Sequence, residues 1–209
     1  MAHPLDHFMW AAADLDTAIA AFERLSGVRA GYGGSHPGRG TRNALASLGI
    51  DIYLELIAPD PAQSLAGTPG AELQRLARPC VHAFVAVSRD LAAVQQAYAR
   101  CGVRADLLEG GRQTPSGGFV RWKILIPSPN EFGPFAPLFI DWLDSVHPAT
   151  TSTPGCTLVR FEAGHPDLEK IAGLWRAIDL AIPLTRAERP FFSADLTTPR
   201  GPLRLASAM

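Results

Sequence analysis

Two histidines recur in one register along this chain, and a carboxylate in an apolar run follows each of them. His7 stands 20 residues before Gly27-Val28-Arg29-Ala30, and His82 stands 20 residues before an identical Gly102-Val103-Arg104-Ala105. Internal repetition of this kind fixes an architecture before any local reading does. Each copy also ends in an apolar run that holds one acid, Glu55 in Tyr53-Leu54-Glu55-Leu56-Ile57 and Asp141 in Leu138-Phe139-Ile140-Asp141-Trp142-Leu143. Two imidazoles and two carboxylates suit a divalent ion of the Fe, Mn, Co, Ni or Zn kind, and mixed N/O ligands with open positions are what a catalytic ion needs. A single strand histidine is more often a hydrogen-bonded structural residue. An acid such as Glu55 in an apolar strand needs a partner, because an unpaired buried carboxylate is costly. It is the repeat, with one imidazole on the first strand and one acid on the last strand of each copy, that joins His7, Glu55, His82 and Asp141 into one expected metal set.

The elements that must position these residues repeat with them. His7 lies in the apolar run Leu5 to Ala12. Asp14 and Asp16 suit a helix start, and Leu15, Ala18, Ile19, Phe22 and Leu25 follow at helical spacing before Gly27 stops the helix. The second copy runs through an apolar stretch around His82, an Asp90 cap, the stripe Leu91, Val94, Tyr98 and Cys101, and the stop Gly102. Strands are expected after each stop, at 28–32, 41–48 and 51–57 and at 103–108, 119–126 and 138–143, separated by Gly- and Pro-rich turns. Each copy is therefore βαβββ, and the fold class is α+β. The expected organisation is a first module over residues 1–60, a linker with a short helix over 61–79, a second module over 80–146, and a third, degenerate and ligand-free βαβββ module over 147–209.

Strand alternation assigns faces. It places His7 with Leu5 and Met9, His82 with Phe84, Glu55 with Tyr53 and Ile57, and Asp141 with Phe139 and Leu143. The opposite faces are apolar and suit packing under helices. A sheet curling around the polar face would bring the four together.

Composition bounds the function. With 19 basic and 20 acidic residues the net charge is −1, which argues against a nucleic-acid partner, since phosphate neutralisation needs a basic face. No stretch approaches the ~20 apolar residues of a membrane span. The N-terminus lacks a basic region followed by an apolar one, and the three cysteines are widely spaced, so reduced thiols and a cytoplasmic location are the expectation.

The stretch Gly33 to Asn43 holds His36, Arg39, Arg42 and Asn43 among several glycines and one proline. It reads either as a lid whose Arg39, Arg42 and Asn43 hold an anionic substrate group or as a long hairpin turn with solvated arginines. Arg121 and Lys123 either add to such an anion site or form a solvated edge. His3, His147 and His165 sit beside prolines and receive no role.

Paired βαβββ modules with an imidazole on the first strand and an acid on the last resemble the vicinal oxygen chelate superfamily, which includes glyoxalase I, extradiol dioxygenases, methylmalonyl-CoA epimerase and the fosfomycin and bleomycin resistance proteins. The run Gly33 to Leu45 followed by Tyr53 to Ile57 is similar to the bacterial glyoxalase-like domain group. The superfamily resemblance covers about residues 4 to 146. It implies the glyoxalase/bleomycin resistance/dihydroxybiphenyl dioxygenase fold, a curled mixed sheet with helices outside, and it carries the superfamily's metal positions onto His7, Glu55, His82 and Asp141. Asp141 departs from the commoner Glu by one methylene. The function this implies is a metal-dependent isomerase or lyase acting on a small oxygenated anion, with Glu55 or Asp141 moving the proton. Two alternatives stand beside it. One is a metal-free binding or antibiotic-resistance-type protein with Trp122, Phe119, Phe135 and Arg39 as cup walls. The other is a non-haem iron ring-cleaving dioxygenase using His7, His82 and Asp141. The third module lies outside the resemblance, and its expected role is pairing with its counterpart in a homodimer.

Overall fold

The structure is a computed structural model and describes residues 2–113 and 117–207. The first repeat comprises β1 (Leu5–Ala11), α1 (Leu15–Ser26), β2 (Gly31–His36), β3 (Thr41–Ser47) and β4 (Tyr53–Pro59). After the short helix α2 (Pro69–Leu73), the second comprises β5 (Cys80–Val87), α3 (Leu91–Arg100), β6 (Ala105–Gln113), β7 (Phe119–Pro127) and β8 (Leu138–Asp141). The helices begin as their sequences demand. The Asp14 and Asp90 side chains accept from Thr17 N and Ala93 N, and Gly27 and Gly102 turn left-handed just past each helix, at φ of 81° and 74°.

The two repeats join through β1 and β5 into one eight-stranded sheet of order β2-β3-β4-β1-β5-β8-β7-β6. It is mixed, because β1–β4 and β5–β8 are parallel pairs. The sheet curls until its two edge strands meet, and the Arg112 guanidinium on β6 donates to the Gly33 carbonyl on β2. The outer face carries the core. Leu54, Leu56 and Ala44 pack with Leu15, Ile19 and Phe22 of α1, while Leu125 and Phe139 pack with Val94 and Tyr98 of α3.

The third stretch also contains four strands and a helix, β9 (Thr157–His165), α4 (Leu168–Ala177), β10 (Leu184–Arg186), β11 (Phe191–Thr198) and β12 (Gly201–Ala206). Its sheet order, β10-β9-β11-β12, differs from that of the repeats. Here the strand after the helix pairs directly with the strand before it, whereas in each repeat it is the last strand that does so. This sheet covers the outer face of β1 and β5 between α1 and α3. Phe161 and Phe192 stack against Phe8, Phe84 and Phe135, and Trp175 donates to the Phe135 carbonyl at 2.7 Å. The third stretch thus packs on the repeats of its own chain.

Candidate active site

The inner face of the first repeat holds a continuous polar network. It starts at a β-bulge. Leu5 pairs with Ala86 and His7 with Val85, which leaves Asp6 as the extra residue and turns both Asp6 and His7 inward. The Asp6 carboxylate accepts from His7 Nδ1 at 2.6 Å, Trp142 Nε1 at 2.9 Å and His147 Nε2 at 3.2 Å. Burial pushes the Asp6 carboxyl up, but the hydrogen bonds and charges of His147 and His7 outweigh it and hold the pKa at about 2. With Nδ1–H bonded to Asp6, a neutral His7 presents the lone pair of Nε2 toward Glu55.

Glu55 reaches this point because β1 and β4 run parallel with His7 opposite Tyr53, so that Glu55 stands beside Met9. Its Oε2 is 3.6 Å from His7 Nε2, too far for a hydrogen bond, and its Oε1 accepts from Asn43 Nδ2 at 2.6 Å. Both His7 and Glu55 are 4 % exposed. Asn43 Nδ2 also donates to His36 Nε2 at 3.1 Å, and the other His36 nitrogen meets Thr41 Oγ1 at 2.9 Å. Burial draws the His36 pKa below its ordinary value, against the pull of Glu55 and with help from the Arg112, Arg39 and His7 charges. Tyr53 stacks on His7 with ring centroids 4.4 Å apart, and the turn from His147 to Ala149 closes the cup beneath it. Leu73 and Leu76 from the α2 segment cover the other end over Met9, Ala11 and Ile57.

The expected four-residue metal set is not assembled. His7 and Glu55 come together, but His82 and Asp141 do not join them, and among the described residues no group of three or more His, Cys, Asp or Glu side chains can hold a metal ion. A second bulge, between the Met9–Ala83 and Trp10–Val81 pairs, shifts the alternation of β5. Val81 and Phe84 therefore share the core side, and His82 lines a separate groove with Glu72. Asp141 faces the helix side with Phe139, opposite Lys123, and caps Leu143 N at 2.9 Å. That placement removes the acid from the ring-cleaving triad as well. A divalent ion at His7 and Glu55 would lack the other two donors.

The residues expected to bind an anion do not converge on one point. Arg42 points to the helix side, 3.7 Å from Asp16, and Arg121 lies on the outer surface, where its backbone pairs with Ser145 Oγ. Lys123 pairs with Glu109 at 3.3 Å on that same surface. Asn43 is in the site but holds Glu55. Arg39 sits on the β2–β3 turn, where its charge reaches His36. The stretch expected as a lid is this hairpin, clamped at Gly38 N by the Gln63 side chain at 2.9 Å. Of the cup walls, Trp122 faces inward against Trp142, Phe135 is buried in the outer core, and Phe119 is exposed on the outside.

Three residues absent from the sequence expectations complete the site. They are Asp6, His147 and Arg112. The dipeptide Asp6-His7 was the signal for the first; a bulge that turns both inward leaves no mark in an alternation pattern. Arg112 is buried on the inner face, where burial draws its guanidinium below the ordinary arginine value while Tyr53, Glu55 and Tyr32 oppose the shift.

Paired βαβββ repeats curled around an imidazole and a carboxylate define a protein of the glyoxalase fold. A family model described as glyoxalase-like domain matches residues 5–178, and the chain belongs to that family. No curated protein matches the chain. Among solved structures, a hypothetical protein from Staphylococcus aureus is similar at TM-score 0.67 and 17% identity, over 98% of this chain and 88% of that one. A methylmalonyl-CoA epimerase from Streptomyces coelicolor, in complex with 2-nitronate-propionyl-CoA, is similar at TM-score 0.46 and 21% identity, over 67% of this chain and 96% of that one. The epimerase from Mycobacterium tuberculosis is similar at TM-score 0.43 and 24% identity, over 65% and 84%. No helix among the described residues is long and apolar enough to cross a membrane.

Proposed function

We propose that this chain catalyses proton transfer at a carbon beside a carbonyl in a small oxygenated anion, chemistry of the isomerase or lyase kind. Glu55 is the base and His7 its partner in handling the proton. One observation carries this reading. His7 Nε2 and Glu55 Oε2 approach to 3.6 Å at a buried point without bonding each other, while Asp6 sets the His7 tautomer from behind. Two acceptors aimed at one position suit a proton donor between them, and a C–H next to a carbonyl is such a donor once its conjugate base is stabilised. Removal of that proton by Glu55 leaves an enolate oxygen. The Arg112 guanidinium stabilises the oxygen's charge, and Glu55 or His7 returns the proton to the same or the neighbouring carbon. Asn43 holds Glu55 in place from its other oxygen.

The test is hydrogen exchange. Chelator-treated protein is incubated with small 2-oxo acids in deuterated water, and loss of the proton next to the carbonyl is followed by NMR. The expected result is exchange above the uncatalysed rate that falls by roughly 10²–10⁴ in Glu55→Gln. Exchange that appears only on adding Zn, Ni, Co, Mn or Fe would return the metal-dependent reading. Tight binding with no exchange under any condition would return the metal-free binding protein.

A further inference from the structure

The two halves of the cup differ in kind. The first is filled with the polar network. The second is lined mainly by apolar side chains, of which Trp122, Ile124, Ile126, Leu108 and Leu138 remain partly open while Ile140 is buried. Leu125 packs outward under α3, so Trp122, Ile124 and Ile126 alternate with it to face inward, and Leu108 pairs with Ile124 on the same face. Ile140 and Leu138 on β8 continue that wall, since Phe139 between them packs outward. Beyond Leu138 the wall opens into a groove of about 640 Å³ whose lining includes His82, Glu72, Leu76, Ala83 and Pro127. Leu76 also packs against the cluster of Met9, Ala11 and Ile57. The groove therefore adjoins the Glu55 site across Met9, which pairs with both Glu55 and Ala83.

Arg112 lies at the other end of the same wall. It is inward-facing and buried, and no carboxylate of the described residues is in ion-pair contact with it. One of its donors holds the Gly33 carbonyl. The donors that remain are enough for a carboxylate oxygen and for the carbonyl oxygen beside it that becomes the enolate.

We propose that the substrate is an amphipathic carboxylate, its charged end on Arg112 and its alkyl or aryl remainder along Trp122, Ile124 and Leu138 into the groove beside His82. The inference rests on the proposed proton-transfer site, which then acts on the carbon between these two ends. Apolar area facing inward but not filled by the chain's own side chains is area a ligand can bury, and each methylene buried there strengthens binding.

The experiment is calorimetric titration of the full chain with straight-chain 2-oxo acids from pyruvate to 2-oxooctanoate, with phenylpyruvate, and with the methyl esters of the same acids. Affinity should rise about three- to fourfold per methylene until the groove is filled. The esters, which lack the charge, should bind at least roughly tenfold more weakly. Arg112→Gln should bring the acids down to the level of the esters. Leu138→Trp, which narrows the groove without touching Arg112, should flatten the rise with chain length. Equal affinity for acids and esters, a flat length series, or no binding of any member at millimolar concentration overturns the inference. The two readings fail separately. Length-dependent binding with no hydrogen exchange sinks the proton-transfer site alone, and exchange with no gain from chain length sinks the amphipathic substrate alone.

Discussion

Asp6→Asn separates the network's structural work from its chemical work. In the wild type one carboxylate accepts three hydrogen bonds, from His7, Trp142 and His147, and is 1 % exposed. Its pKa of about 2 lies below the ordinary 3.8. A depressed carboxylate contributes stability that is complete above its unfolded value and is lost as pH falls through its folded value. That difference corresponds to about 2–2.5 kcal/mol. The substituted amide would offer one acceptor oxygen where three donors converge, and its NH₂ would set a donor against one of them. Urea denaturation at pH 7 should show the variant less stable by about 2–3 kcal/mol, with the gap closing as pH falls from about 4 to about 2, where the wild type also loses its charge. Exchange should suffer separately. An amide facing His7 Nδ1 reverses the tautomer and puts a proton on Nε2, where Glu55 needs an open site, so the rate should fall by roughly 10²–10⁴. A variant that keeps both its stability at neutral pH and its exchange rate would refute the role given to Asp6. One that loses stability alone would leave His7 a structural residue.

Other expectations are narrower. Gly33→Ala should move Asn43 off Glu55, because a Cβ at Gly33 would overlap Asn43 Oδ1; a cost of about 1–3 kcal/mol together with lost exchange is expected, and an unaltered exchange rate counts against Asn43 as the support of Glu55. The His36 ring, drawn down by burial, should titrate below 6.5 by NMR, and a midpoint above that value contradicts its surroundings as described. Because its folded pKa is lowered, its contribution to stability is complete above 6.5 and declines as pH falls below it. Phe192→Ala, in the covering sheet, should cost about 3–5 kcal/mol in chemical denaturation, since Phe192 is fully buried against Phe84, Phe135 and Phe161; a cost below about 1 kcal/mol would mean that the third stretch folds apart from the repeats.

The fold was legible in the chain wherever one periodicity ran uninterrupted. The Leu15 to Phe22 stripe, its Asp14 cap and its Gly27 stop each reappear in α1, and Glu55 faces the cup as alternation requires. Legibility failed where a single residue shifted the count. The bulge at Asp6 placed two neighbouring polar side chains on one face, and the bulge at His82 moved Phe84 to the core side. Asp141 failed for another reason. Both faces of β8 are apolar, so alternation could not say which was inner, and Phe139 settled it by packing against Tyr98. His147 belongs to the turn beyond β8, far from Asp6 in sequence, and no local pattern announces a contact of that range. The third stretch shares the element order of the repeats and not their pairing, because the order of strands in a sheet is set by which edges meet, and hydrophobic spacing does not record that.

Duplication therefore copied the strands here without copying the chemistry. In the first repeat the parallel register of β1 and β4 sets Glu55 beside Met9, within reach of His7. In the second, the register of β5 and β8 sets Leu138 opposite Val85, and Asp141 follows three residues later on the other face. The place where a second acid could have closed a four-ligand set is thus apolar. A cup with its acid and imidazole on one wall and Leu138, Ile124 and Trp122 on the other is poorly made for gripping an ion between its halves. It is well made for a molecule that is itself two-sided, held by its charge at Arg112, lying along the apolar wall, and presenting one carbon to Glu55. The asymmetry that removes the expected metal set is the same asymmetry that specifies the substrate.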